Sequence, residues 1–149
     1  MAQYLLVAHQ TADSPELRSQ VVTLLREDPA AEFVLLVPAT PIALLQAVGG
    51  EARSAVGVAR QRARRARTLL ESAGARVAAT RIGSYDPLVA VEDELRSGHY
   101  DAVVVSTLPP GVSRWLRMDL PARVGRRFPQ VRVVHVVAQT TLASPGGTQ

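Results

Sequence analysis

Residues 103–124, VVVSTLPPGVSRWLRMDLPARV, carry most of the side chains in this chain that could hold an anion. Ser106, Thr107 and Ser113 offer hydroxyls, Gly111 offers backbone without a Cβ, and Arg114 and Arg117 stand three apart, as on one turn of helix. Loops that hold phosphate do so with inward-pointing backbone N–H groups, unobstructed by side chains, and with a helix N-terminus behind them. Two prolines and a single glycine make residues 108–113 a poor supply of such amides. The alternative use of the two arginines is structural, with Arg114 or Arg117 paired to Asp119 or to water. Because surface ion pairs are common and individually weak, we expect the structural use.

Other chemistries are excluded or unsupported. The chain has no cysteine, which removes disulfides, thiolate nucleophiles and thiolate-bound zinc. All 17 basic residues are arginine, so Schiff-base chemistry and a phosphate-loop lysine are absent too. No GxGxxG, GxxxxGK[ST] or GxSxG pattern occurs, and Gly111-Val112-Ser113 does not supply one. His9, His99 and His135 form no HxxxH or HxH pair, so we expect no metal; His9, at a strand end, is the histidine placed to face a cleft. Asp13 and Ser14 fall near the same place, with Ser14 read as a helix N-cap. Trp115, the only tryptophan, is expected to plug an apolar seam rather than stack a base. Arg53, Arg60, Arg62, Arg64, Arg65 and Arg67 crowd one segment, but aromatics make up 4% of the chain and none lies there. That favours a solvated helix face with some acid partners over a nucleic-acid surface.

These residues must be positioned by five apolar runs that read as strands, at residues 3–9, 32–38, 75–82, 101–106 and 131–138. Several are nearly continuous, as befits strands covered on both faces. Helical patterns alternate with them. Ser14-Pro15 opens one, with Leu17, Val21, Leu24 and Leu25 as its apolar stripe. A second, about 51–73, has the stripe Ala55, Ala59, Ala63, Ala66, Leu70 and Ala73, and Gly74 takes the left-handed turn behind it. Asp86-Pro87 opens a third that Gly98 closes, and Asp119, as N-cap, opens a last one ending near Phe128. Strict alternation of strand and helix predicts an α/β fold, a doubly wound parallel sheet with helices on both faces. Ligands of such sheets lie beyond the C-terminal strand ends where strand order reverses, which points to the loops after Val7, Val37 and Val105.

The same segments together resemble the universal stress protein family. The likeness runs through LLVAHQTADS, VLLVP, the long helix, RIGSYDPLVAVEDELRSGHYDAVVVST and GVSRWLRMDLPARV, nearly the whole chain. It implies a five-stranded Rossmann-like sheet of the adenine nucleotide alpha hydrolase type, ordered 3-2-1-4-5, and often a dimer through the fifth strand. Nucleotide-binding members carry glycine, two residues, glycine, nine residues, then glycine followed by serine or threonine. Laid here without a gap, that signature falls on Val105, Leu108, Met118 and Asp119, and each position departs from it. Side chains at Val105 and Leu108 obstruct amide approach to phosphate. A carboxylate at Asp119 repels it, by about 4 kcal/mol for unit charges ~4 Å apart at an effective dielectric near 20. Gln10 replaces the acidic residue ending the first strand, and Pro38 has no N–H for an adenine edge.

We therefore expect one domain, residues 1–139, with a flexible tail at 140–149, acting as a regulatory or interaction module rather than an enzyme and binding no ATP or other cofactor. Charge +4 and 47% hydrophobic residues fit a core of that size, and no run reaches the ~18 apolar residues of a membrane span. A cytoplasmic location, an unknown protein partner and a homodimer through residues 131–138 are the remaining expectations, with no nucleic acid. The alternative is a sensor of nucleotide or phosphometabolite, using Gln10, Ser106, Thr107, Gly111, Ser113, Arg114 and Arg117.

Overall fold

The computed structural model describes residues 1–39 and 54–139. Strands β1 (Gln3–Val7), β2 (Glu32–Pro38), β3 (Arg76–Gly83), β4 (Ala102–Thr107) and β5 (Arg132–Val137) form one sheet in the order β3-β2-β1-β4-β5, every neighbour parallel. Helices α1 (Pro15–Glu27), α2 (Ala55–Ser72), α3 (Pro87–Ser97), α4 (Arg114–Arg117) and α5 (Leu120–Arg127) connect them. This is the doubly wound architecture that the alternation of elements dictates.

Local chemistry sets the helix starts. Ser14 Oγ accepts the Leu17 N–H at 3.1 Å with Pro15 at the first helical position, and Ser54 Oγ accepts the Gly57 N–H at 3.0 Å to open α2. Asp86 caps α3 by accepting from Leu88 N–H at 3.0 Å and Val89 N–H at 3.4 Å. Such caps each stabilise a helix by roughly 0.5–2 kcal/mol, because the first N–H groups have no partner inside it. Gly74 follows α2 at φ +100°, the backbone that residues with a Cβ avoid.

The sheet splits the core into two layers. Tyr4, Leu6, Phe33, Leu35, Val37, Ala102 and Val104 face α1 and α2, meeting Leu17, Val21, Leu24, Ala59, Ala63, Ala66 and Leu70. Leu5, Val7, Val34, Leu36, Val103 and Val105 face the other way, against Ala90, Val91, Trp115, Leu120 and Val124. Removing each large aliphatic side chain from water contributes about 1.5–3 kcal/mol, so burial on both faces explains why these strands are apolar without alternation. Gly83 marks the tightest approach: a Cβ there would stand 2.7 Å from the Ala90 Cβ and 3.0 Å from the Leu36 Cδ1.

Four expectations need correction. The first strand ends at Val7, not residue 9, because the His9 carbonyl accepts the Ala12 N–H at 3.2 Å and turns the chain toward α1. Asp119 precedes α5 but does not cap it with its side chain: it sits in the left-handed region, φ 60° and ψ 40°, and its carboxylate points to Arg126 at 3.6 Å. The partner of Asp119 is thus Arg126, not Arg114 or Arg117. The arginine face of α2 is not wholly solvated either, since Arg62 is half-buried. The expected tail at 140–149, and residues 51–53 of the second predicted helix with Arg53, lie outside the described residues. Among those described, no helix is long and apolar enough to cross a membrane.

Candidate functional site

Strand order reverses between β1 and β4. From β1 the chain turns to α1 over one face of the sheet, and from β4 it turns to α4 and α5 over the other, so the two loops part above the strand ends, the place where sheets of this kind form their crevice. Across its floor, Thr11 Oγ1 and Ser106 Oγ share a buried hydrogen bond of 2.6 Å between residues far apart in sequence. Beside it, Thr107 Oγ1 bonds the Nε2 of His135 on β5 at 2.8 Å, and partial loss of hydration holds this otherwise exposed ring below the usual histidine pKa.

The hydroxyls singled out from the sequence are engaged within the chain. Ser106, Thr107 and Ser113 are buried, and their hydroxyls are turned to Thr11, His135 and the Leu116 N–H respectively, the last at 3.2 Å as the cap of α4. Gly111, at φ +93°, forms the exposed tip of a turn in which the Pro109 carbonyl accepts from the N–H groups of Val112 and Ser113. Arg117 reaches back to the Gly111 carbonyl at 3.4 Å, while Arg114 and Gln10 are exposed. Contrary to expectation, Val105 does not obstruct the loop, because its side chain is fully buried in the second core layer; Leu108 and Met118 are half-buried, Met118 against that same layer. Trp115 is buried there too and seals the seam beneath α4.

On the α1 and α2 side of the crevice lies a group that sequence reading resolved only in part. His9 is 6% exposed and its Nε2 is buried without a partner. Burial, with the charge of Arg62 close by, pushes its pKa down to about 4, so the ring is neutral near pH 7. Arg62 has its Nε buried and unpartnered, and burial lowers its pKa despite the nearby Asp13 carboxylate. Asp13 itself stands 3.9 Å from Arg65. Arg62 is three residues after buried Ala59 and four before buried Ala66, a spacing that sets it on the margin of the apolar stripe; this signal was present in the sequence. Among the described residues, no group of three or more His, Cys, Asp or Glu could hold a metal ion.

With the geometry in place, comparison with known proteins identifies the fold. No protein-family model matches the chain, and no curated protein matches its sequence. Among solved structures, a universal stress protein from Archaeoglobus fulgidus superposes with TM-score 0.61 at 10% identity, covering 91% of this chain and 93% of that one. A universal stress protein family protein from Arabidopsis thaliana, solved with AMP bound, gives TM-score 0.61 at 10% identity, covering 99% and 97%. A universal stress protein in complex with cAMP gives 0.52 at 22% identity, covering 92% and 98%. The chain has the universal stress protein fold, in the strand order that the resemblance implies.

Proposed function

We propose that this chain is a regulatory or interaction module on the universal stress protein fold, which carries out no reaction, does not hold ATP in the way of nucleotide-binding members, and works as a homodimer. The observation that carries the reading is the state of the β4 loop. Its three hydroxyls are committed to intramolecular bonds, and Leu108, Pro109 and Pro110, where a glycine-rich loop would present amides, offer a single backbone N–H among them. The Asp119 carboxylate stands at the start of α5, where a phosphate would meet like charge. The dimer reading draws support from β5, an edge strand of the described sheet with half-buried Val133, Val134 and Val137; an unpaired edge of this kind invites a second strand.

Thermal unfolding with and without MgATP tests the first part. A ligand at ~100 times its dissociation constant adds about 2.7 kcal/mol of stability, so binding would raise the midpoint clearly. No rise is expected, and fresh protein should carry no co-purified nucleotide in its ultraviolet spectrum. Light scattering after size exclusion tests the second part, and a monomer at micromolar concentration would remove it.

A second reading, a sensor of nucleotide or phosphometabolite, draws on the AMP and cAMP held by two proteins of similar fold and on the exposed guanidinium of Arg114. A nucleotide-dependent rise in melting temperature that Arg114→Ala abolishes would establish it in place of the first.

A further inference from the structure

We propose that Arg62 and Arg65 of α2, with the Nε2 of His9, form a receptor for a small oxyanion group, phosphate or carboxylate, on the α1 and α2 side of the crevice. The site is distinct from the 106–119 loop and stands whether or not that loop takes a nucleotide.

Two buried polar atoms carry the inference. His9 Nε2 and Arg62 Nε are both withdrawn from water, and neither has a hydrogen-bond partner. Folded proteins satisfy the large majority of such atoms, so an orphaned pair on neighbouring side chains indicates that something outside the chain completes them. The charge balance specifies what that is. Arg62 and Arg65 present two guanidiniums, whereas Asp13 offers one carboxylate, partly exposed and 3.9 Å from Arg65. A cation would meet net positive charge, and a neutral apolar molecule would leave the Arg62 Nε as unsatisfied as before. An oxyanion answers both, because guanidinium N–H donors match the paired oxygens of phosphate and carboxylate.

His9 suits the same ligand. Its ring is neutral near pH 7, so it adds no charge, and with the proton on Nε2 it donates to an anion oxygen. Thr11, two residues on, is held by Ser106, which fixes the turn carrying His9 against β4.

The test is titration of the full chain with inorganic phosphate, and separately with acetate, followed by the histidine ring resonances in NMR at constant ionic strength. We expect a saturable shift confined to His9, together with a rise in the His9 pKa, since an adjacent anion favours the charged ring. The anion giving the tighter curve names the ligand class. Arg62→Gln should abolish the response, Arg62→Lys should weaken it several-fold while keeping the charge, and Arg64→Gln, on the exposed face of α2, should leave it intact. A His9 resonance that stays fixed with both anions overturns the proposal. So does an equal response of His9, His99 and His135, or a curve unchanged by Arg62→Lys in a variant that circular dichroism shows to be folded.

Discussion

Replacing Asp119 isolates the physical origin of the loop that separates this chain from nucleotide-binding members. Asp119 holds φ 60°, a conformation costing an L-residue about 1–2 kcal/mol, with Asp at the low end of that range. Asp119→Gly removes that cost, here about 1 kcal/mol. It also gives the unfolded chain extra freedom, worth roughly 0.4–1 kcal/mol. The ion pair to Arg126 is lost as well, but at 3.6 Å with both side chains more than three-fifths exposed it contributes only a few tenths of a kcal/mol, about the low end for surface pairs. The three terms nearly cancel, and Asp119→Gly should lie within about 0.5 kcal/mol of the parent. Asp119→Ala meets the full left-handed cost, above that of Asp, and loses the pair, so it should fall about 1 kcal/mol below the glycine variant. That is the opposite of the order inside a helix, where Ala exceeds Gly by about 1 kcal/mol. Urea unfolding of the three proteins reads the difference directly, and in a domain of this size it corresponds to about 2–4 °C in melting temperature. An alanine variant as stable as the glycine one would refute the strained turn. If Asp119→Gly gains an ATP-dependent rise in melting temperature, the carboxylate is the element that turns the triphosphate away.

Three further outcomes follow from the packing and from burial. Because folded His9 titrates near 4 and unfolded His9 near 6.5, the unfolded chain binds more protons between those values, so stability should fall as pH drops from about 6.5 to 4. After allowance for water near the ring the loss is on the order of 2 kcal/mol, and His9→Gln should flatten it in urea titrations across that range; the like-signed contribution of His135 is common to both proteins and cancels. Gly83→Ala should destabilise by about 1–3 kcal/mol, since its Cβ meets Ala90 at 2.7 Å, and thermal unfolding that leaves the midpoint unchanged would contradict the close approach of β3 to α3. Ser106→Ala should cost about 1–3 kcal/mol by stranding the buried Thr11 hydroxyl, whereas Ser106→Ala with Thr11→Val should recover much of the loss; additive single effects in the double-mutant cycle would deny the coupling.

The sequence by itself determined the layers of this protein. Continuous apolar runs such as VLLV at 34–37 and VVV at 103–105 demand cover on both faces, and Ser14-Pro15 and Asp86-Pro87 mark helix starts through chemistry contained in a few adjacent residues. Alternation then restricts the topology to a parallel, doubly wound sheet, and the strand order came from likeness to a known family rather than from any pattern of spacing. Tertiary structure alone decided the site. Ser106 meets Thr11, Thr107 meets His135 and Arg62 lies beside His9 only because crossovers bring distant strand ends and helices together. Whether Asp119 capped a helix or turned left-handed toward Arg126 depended on how α4 and α5 pack on the sheet, a competition between backbone strain and burial that nearby residues do not resolve.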